Sequence, residues 1–285
     1  MWKKVSLLGL LTVSLMALGG CQAAKPAATS ATRTAISQAV PTLFFHGYGS
    51  SYRAEEHMAN AAVKAGVTKT IVRAIVANDG QVQLSGTFKK NDRHPIVEVG
   101  FTNNHNGDSE TAGRWAKNVV VALQKRDGIK KFNVVGHSMG NMAIVYYLLN
   151  NATNSKLPQL QKQVDIAGHF NGILGMDDQA NQMKLRTDGQ PTKMNANYRQ
   201  LLKLRRVFPK NVAVLKILCD FNHGSHSDGP VINPTPKNFP HPFSSPANSS
   251  PELRALCIDT PTRKHHAQPP VARAMFLFFL SKSGL

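Results

Sequence analysis

The sequence predicts an α/β fold in which a mostly parallel β-sheet is covered by helices on both faces. Short apolar runs typical of buried strands alternate with longer stretches of helical spacing. This alternation favours a parallel sheet, because each helix returns the chain to the start of the next strand. With 285 residues, 42% of them hydrophobic, the chain can enclose the core of one sizeable domain.

Each predicted element has its own local pattern. Apolar, largely β-branched or aromatic runs indicate strands at residues 42–45, 70–76, 81–84, 95–101, 132–135, 164–167 and 212–218. Apolar residues at helical spacing predict helices over 55–65, 110–125, 141–149 and 271–280, the first of which ends at Gly66. The remainder of 151–210 is polar, and we expect a small cap there.

The first 21 residues are typical of an export signal. Two lysines precede an apolar run at 5–17, which is shorter than the roughly 18–20 residues that a membrane span needs. The segment Leu18-Gly19-Gly20-Cys21 resembles the bacterial lipobox, in which the cysteine is lipidated and becomes the mature N-terminus. We therefore predict a signal peptide over 1–21, and an extracytoplasmic protein anchored to the cell membrane through lipidated Cys21.

The residues after the predicted cleavage site differ in composition from the rest of the chain. Residues 22–38 are rich in Ala, Thr, Ser and Pro and have almost no large apolar side chains. Such a segment buries too little surface to fold by itself, so we predict a flexible tether. The folded domain is then expected to comprise residues 39–285.

The net charge of +18 restricts the partners that the surface can attract. A chain with a pI near 10.1 suits nucleic acid, an anionic membrane or an acidic wall polymer. The sequence has no zinc-finger spacing and no basic stretch interleaved with aromatic residues, which argues against nucleic acid. An anionic wall polymer is therefore the macromolecular partner that we expect beside the membrane.

A glycine-flanked serine lies between a predicted strand and a predicted helix. The segment Gly136-His137-Ser138-Met139-Gly140 follows the strand at 132–135 and precedes the helix at 141–149. In this context the pattern is typical of a nucleophilic serine held in a strained turn, with glycines where side chains would collide with the neighbouring strand and helix. We therefore predict an α/β-hydrolase fold with Ser138 as its nucleophile.

A serine that transfers acyl groups needs N–H donors for the oxyanion that forms on the substrate. One donor is usually the backbone N–H that follows the nucleophile, which here belongs to Met139. The second is expected in Phe45-His46-Gly47-Tyr48-Gly49, directly after the first strand, and the N–H of Tyr48 is our candidate.

The acid that orients the catalytic histidine is expected after a later strand. Two carboxylates follow the strand at 212–218, and we favour Asp228 over Asp220. Because His223 and His226 lie among them, a metal site is an alternative, but no further ligand spacing supports one. We expect neither a metal nor another cofactor.

The catalytic base is expected last in the order Ser, Asp, His, on a loop before the final helix. The pair His265-His266 occupies that place, and we predict that one of the two histidines is the base. Histidines exposed in a basic loop are the structural alternative. The remaining cysteines, Cys219 and Cys257, could pair outside the cytosol, but we expect both to be free and buried.

Several sequence blocks together resemble the DUF915 group of cell-surface α/β-hydrolases from Gram-positive bacteria. The resemblance covers roughly residues 40–229, and the blocks are Phe45-His46-Gly47-Tyr48-Gly49-Ser50, Val99-Gly100-Phe101-Thr102-Asn103-Asn104, Val134-Val135-Gly136-His137-Ser138-Met139-Gly140 and Gly224-Ser225-His226-Ser227-Asp228-Gly229. It implies an α/β-hydrolase fold, Ser138 as nucleophile and Asp228 as acid, with substrates not established.

The chain departs from the family pattern after Gly229. Eight prolines lie within residues 230–261, and proline disrupts both strands and helices, so we expect no strand in that segment. Resemblance resumes near 269–279, and aligning backwards from there implies a base near Thr262 instead of His265 or His266.

The sequence as a whole predicts an exported serine hydrolase that acts on small-molecule or lipid esters of carboxylic acids. The alternative is an impaired hydrolase fold, without a working base, that serves as a binding protein at the cell surface.

Overall fold

The computed structural model contains one eight-stranded sheet. It describes residues 38–173, 176, 184, 186, 190–219, 255–257 and 269–280. The strands are β1 (Thr42–Phe45), β2 (Ile71–Val76), β3 (Val82–Ser85), β4 (Ile96–Phe101), β5 (Lys131–His137), β6 (Gln159–Ile166), β7 (Ala213–Cys219) and β8 (Ala255–Cys257). Their order is β3-β2-β4-β1-β5-β6-β7-β8, and every neighbouring pair is parallel except β2 with β3.

Helices lie on both faces of this sheet, as the sequence predicts. They are α1 (Glu56–Lys64), α2 (Ser109–Asp127), α3 (Met139–Asn151), α4 (Ala196–Leu201), α5 (Leu204–Val207) and α6 (Pro269–Leu280). Side chains of α2, α3, α4 and α5 share one core, while those of α1 and α6 belong to a second core on the opposite face. The fold is a mostly parallel α/β sheet covered by helices on both sides.

The register of the central strands brings four loops to one edge of the sheet. Phe45, the last residue of β1, pairs with Val99 of β4 and with Gly136 of β5. His137, the last residue of β5, pairs with Ile166, the last residue of β6. Because these strands are parallel, the segments that follow β1, β4, β5 and β6 meet at the same carboxyl edge, where ligands bind in open α/β sheets.

Part of the segment 151–210, where the sequence predicts a small cap, belongs to the sheet and to the core. Strand β6 occupies Gln159–Ile166, so it is longer than the predicted strand at 164–167. Its first half is polar, which hid it from a pattern based on apolar residues. Among the described residues between β6 and β7, the helices are the short α4 and α5, and both belong to the core that contains α3.

The expectation of no strand within 230–261 is wrong. Strand β8 lies in that segment and pairs in parallel with β7. Proline restrains its own φ angle, lacks an N–H and restricts the residue before it, so its effect is local. Residues 255–257 lie between Pro251 and Pro261, and the sequence between these two prolines contains no further proline.

Other sequence predictions concern the ends of the chain and the cysteines. The predicted signal peptide, Cys21 and the tether up to residue 37 lie outside the described residues. Within the described ranges, no helix is both long and apolar enough to cross a membrane. Cys219 and Cys257 are register partners on β7 and β8, so their backbones are neighbours, and free thiols at these positions stay a prediction.

Candidate active site

Ser138 occupies a strained turn between β5 and α3. Its φ and ψ angles are +50° and −116°, a combination that a residue with a side chain rarely adopts. Strain of this kind costs on the order of 1–3 kcal/mol and persists only where the surroundings impose it. The Ser138 N–H donates to the carbonyl of Ile166 at 2.9 Å, which ties the turn to the end of β6.

The two glycines of the motif lie where no side chain fits, as the sequence predicts. A Cβ on Gly136 would lie 2.8 Å from the backbone nitrogen of Asn141. A Cβ on Gly140 would lie 2.7 Å from the carbonyl carbon of Phe45. These separations are shorter than real Cβ contacts, so the glycines allow β1, β5 and α3 to approach one another around Ser138.

Asn141 supports the turn from inside the protein, a role that the sequence motif did not reveal. Its side chain is fully buried, and its amide Nδ2 donates to the carbonyls of Ser138 at 3.1 Å and Ile166 at 2.9 Å. The backbone N–H of Asn141 also donates to the Ser138 carbonyl at 3.0 Å. One side chain in the first turn of α3 therefore links the turn at Ser138 to the end of β6.

The loop after β1 lies directly against Ser138. A Cβ on Gly47 would be 3.3 Å from Cβ of Ser138, which is tighter than most Cβ contacts, so glycine lets the loop backbone come this close without displacing Ser138. The loop is also fixed to the segment after β4, because the N–H of Gly49 donates to the carbonyl of Asn104 at 2.8 Å and Nδ2 of Asn104 donates to the Ser50 carbonyl at 2.7 Å.

His46 anchors the start of this loop. The N–H of Phe101 donates to Nε2 of His46 at 3.1 Å, which leaves the ring proton on Nδ1, 2.8 Å from the Gly47 carbonyl that accepts it. Burial of the ring lowers the pKa of His46, which favours this neutral form. His46 therefore joins the ends of β1 and β4 and holds Gly47 in place.

The two predicted oxyanion donors belong to the residue after Ser138 and to the residue after Gly47. Met139 is the first residue of α3, and an N–H in the first turn of a helix has no acceptor within that helix. Tyr48 directly follows Gly47, with 59% of the residue exposed and its ring edge-on to His105 at 5.0 Å between centroids. Their role as donors stays a prediction that this placement supports.

A buried acidic group lies behind the turn and was not singled out from the sequence. Oε1 of Glu55 is 3.5 Å from Nδ1 of His137, the residue before Ser138. Nearby, the buried side chain of Glu98 forms an ion pair with Arg73, in which Oε2 of Glu98 lies 3.2 Å from Nε of Arg73. Burial, only partly offset by Arg73, raises the pKa of Glu98. A local motif search misses Glu55, because its relation to His137 exists only in three dimensions.

The remaining predicted site residues lie outside the described part of the chain. They are Asp220, Asp228, His265 and His266, together with His223, His226 and Thr262. Strand β7 does end at Cys219, immediately before Asp220, at the same carboxyl edge as Ser138. Among the described residues, no three His, Cys, Asp or Glu side chains are grouped as a metal site would require.

The described geometry suits acyl chemistry. A serine on a strained turn, the amino end of a helix and a glycine-containing loop meet at the carboxyl edge of a parallel sheet. A family model described as "Alpha/beta hydrolase of unknown function (DUF915)" matches residues 29–275. The chain belongs to this family. The family membership that the sequence blocks indicated is thereby confirmed.

Solved structures with the same fold include two from Gram-positive bacteria. A gene product of Listeria innocua superposes with a TM-score of 0.72 at 22% identity, over 86% of this chain and 97% of that chain. A protein of Lactobacillus plantarum assigned as a cell surface hydrolase gives a TM-score of 0.57 at 18% identity, over 84% of this chain and 89% of that chain. No curated protein matches the chain. These similarities concern the DUF915 fold.

Proposed function

We propose that this DUF915 protein is an exported serine hydrolase that cleaves esters of carboxylic acids. The observation that carries the proposal is the backbone of Ser138, held at a φ of +50° with the Gly47 backbone packed against its Cβ. A turn strained in this way needs support from its surroundings, and the buried amide of Asn141 provides it. Strain retained at a single serine beside candidate oxyanion donors is typical of a nucleophile.

The proposed mechanism is two-step acyl transfer. A histidine, His266 or His265, takes the proton from Oγ of Ser138 while Oγ attacks the ester carbonyl carbon. The N–H groups of Met139 and Tyr48 stabilise the oxyanion of the tetrahedral intermediate. The alcohol then leaves with the proton from the histidine, and water releases the acid from Ser138 by the same steps. Asp228, or else Asp220, orients the histidine.

The N–H of Ser138 itself is not available as an oxyanion donor. That N–H already donates to the Ile166 carbonyl, so the oxyanion donors must come from the following residue and from the loop after β1. The proposal therefore assigns those roles to the backbone of Met139 and Tyr48, and not to any side chain.

The proposed setting is the outer side of the cell membrane. Residues 1–21 would direct export, lipidated Cys21 would anchor the protein, and residues 22–38 would link the anchor to the hydrolase domain over 39–285. The partners are then an ester substrate of low molecular weight or a lipid, the membrane itself and an anionic polymer of the cell wall. The net charge of +18 supports the last of these.

Labelling by a fluorophosphonate probe tests the proposed activity, because the probe reacts only with an activated serine. We expect the chain from residue 22 onward to be labelled and to hydrolyse p-nitrophenyl esters, and Ser138→Ala to lose both properties. Ser51→Ala is the control, since Ser51 caps a turn beside the loop after β1 and is expected to leave labelling unchanged.

The histidine variants then identify the base. Loss of labelling in either His265→Ala or His266→Ala, with the other variant unaffected, would assign the base to that histidine. Labelling that survives both substitutions places the base elsewhere in the chain. A folded wild-type protein that is not labelled at all would overturn the proposal in favour of a binding protein with a hydrolase fold.

A further inference from the structure

The segment that carries α4 and α5 is strongly basic. Residues 190–219 contain no aspartate or glutamate, and their seven lysines and arginines are Lys193, Arg199, Lys203, Arg205, Arg206, Lys210 and Lys216. The imbalance is sharper here than in the whole chain, which has 34 basic and 16 acidic residues.

Four of these cations form a row on the outside of the protein. Arg199, Lys203, Arg206 and Lys210 follow one another at intervals of four, three and four residues, and all are exposed. The backbone from α4 through α5 is helical almost throughout, since Leu202 N–H donates to the Tyr198 carbonyl and Phe208 N–H donates to the Leu204 carbonyl. Intervals of three and four residues therefore place Arg199, Lys203 and Arg206 on one face of this segment. Lys210 follows in the turn after α5, where the backbone has become extended at Phe208. We call these four residues the basic row.

The opposite side of the same segment faces the core. Tyr198, Leu201 and Leu204 are buried, and the hydroxyl of Tyr146 in α3 donates to Oδ1 of Asn197 at 2.9 Å. These contacts fix α4 against α3, so the basic row is held on a folded surface. A fixed row of charges loses less conformational freedom on binding than charges on a flexible chain.

The basic row has no acidic partner among the described residues. None of its members forms an ion pair with a described residue, and Arg199 uses one guanidinium nitrogen to donate to the carbonyl of Met194. Glu110 on α2 approaches this segment, but its oxygens accept from Gln200 and Asn150 at 2.9 Å each. The charge of the row is therefore available to an external anion.

The row begins near the candidate active site. Nδ2 of Asn171 donates to the Lys193 carbonyl at 2.9 Å, and Oδ1 of Asn171 accepts from the N–H of Asn195 at 3.0 Å. Asn171 lies shortly after β6, whose last carbonyl accepts the N–H of Ser138. The other end of the row leads into β7 at Ala213, on the amino side of the sheet. The row therefore lies on a segment that runs from near the carboxyl edge of the sheet toward its amino edge.

We propose that the basic row binds a linear polymer that bears phosphate groups. Large apolar side chains that are exposed in the described residues lie at Tyr48, Val63, Met176, Leu277 and Leu280, none of them within the row. Peripheral binding to a membrane draws on buried apolar area as well as charge, so a row of cations alone suits a polyanionic chain better. The inference specifies where the anionic polymer proposed above binds, and it does not depend on hydrolysis.

Binding of the full-length chain to immobilised long-chain polyphosphate tests this proposal. The test variant replaces all four members of the basic row by glutamine. The control variant replaces four other exposed lysines by glutamine, near the opposite edge of the sheet: Lys64, Lys69, Lys89 and Lys90. The two variants lose the same charge. We expect the test variant to bind at least about tenfold more weakly at physiological salt, and the control variant to change by less than about threefold.

The salt dependence provides a second readout. For nucleic acid polyphosphates, each neutralised phosphate contributes roughly 0.7–0.9 to the slope of log affinity against log salt, so the test variant should lower that slope by about three. A variant with Arg199→Lys and Arg206→Lys keeps the charge and is expected to bind as the wild type does, which separates lost charge from lost folding. Ser138→Ala is expected to bind normally, which separates this proposal from the proposed hydrolysis.

Two results would overturn the inference. Equal losses in the test and control variants would mean that overall charge, and not the basic row, attracts the polymer. If binding to vesicles of phosphatidylglycerol and phosphatidylcholine depends on the basic row, and binding to polyphosphate does not, the row would be assigned to a membrane surface instead.

Discussion

Nδ1 of His137 lies 3.5 Å from Oε1 of Glu55, and Glu55 is almost completely buried. A Cβ on Gly47 would lie 3.5 Å from the same nitrogen and 3.3 Å from Cβ of Ser138. The pair is therefore directly behind the loop that faces Ser138. Because Glu55 immediately precedes α1 and His137 ends β5, the pair connects the helix on one face of the sheet to the strand that carries Ser138.

Replacing Glu55 should affect both stability and catalysis. Glu55→Gln replaces the carboxyl group by an amide of similar shape and weakens its contact with Nδ1 of His137, so we expect the free energy of unfolding to fall by about 1–3 kcal/mol. We also expect a lower kcat for ester hydrolysis with a similar KM, because the pair positions the turn and does not contact substrate. Glu56→Gln is the matched control, since Glu56 is partly exposed and bonds Arg73, and should cost less than about 1 kcal/mol. Equal effects from both variants would contradict this role.

The strain at Ser138 predicts an unusual order of stabilities. Glycine adopts a positive φ readily, so Ser138→Gly should be more stable than Ser138→Ala by about 1–2 kcal/mol in denaturant unfolding. At Lys117, in the interior of α2, the order of the glycine and alanine variants should reverse by about 0.5–1 kcal/mol, because glycine is unfavourable inside a helix. Similar differences at the two positions would argue that Ser138 is not strained in solution.

Asn141 should matter more than another asparagine that makes the same kind of bond. Asn141→Ala removes the donor to the Ser138 and Ile166 carbonyls, and we expect a loss of about 1–3 kcal/mol in unfolding free energy and a fall in kcat. Asn118→Ala removes a donor to the Gly80 carbonyl, and this partly buried hydrogen bond joins α2 to a turn outside the serine motif. It should leave kcat unchanged. An unaffected kcat in Asn141→Ala would show that the turn does not need this support.

Burial of His46 predicts a dependence of stability on pH. Because its pKa is lowered in the folded state, the unfolded chain binds a proton first as the pH falls below the ordinary value of 6.5. The free energy of unfolding should therefore decrease as the pH falls through that region. His94, whose pKa is also lowered mainly by burial, contributes in the same direction.

Variants separate the two histidines. His46→Gln should weaken the decrease in stability at low pH but not abolish it, and a variant that also carries His94→Gln should weaken it further. The measurement is denaturant unfolding at a series of pH values. A His46→Gln variant with the pH dependence of the wild type would contradict the neutral, buried state of this ring.

The parts of the site that could be predicted from sequence are those that lie within a few consecutive residues. The turn at Ser138 is one, because strand, glycines and helix follow each other directly and each has a local pattern. The polar first half of β6 and the three-residue β8 could not be predicted, since neither has the apolar alternation by which strands are recognised. Their pairing with neighbouring strands compensates for weak local preference.

The sequence by itself determined the α/β class, the order of most strands and helices, the family and the position of the strained serine. Only the tertiary structure decided what surrounds that serine: the buried amide of Asn141, the loop fixed by His46, and the Glu55–His137 pair. The physical reason is that local patterns arise from neighbouring residues and the faces they bury, whereas these contacts depend on strand order and register. Strand order and register bring together residues that are distant in the chain, so the periodicity within a single segment does not predict which residues will meet.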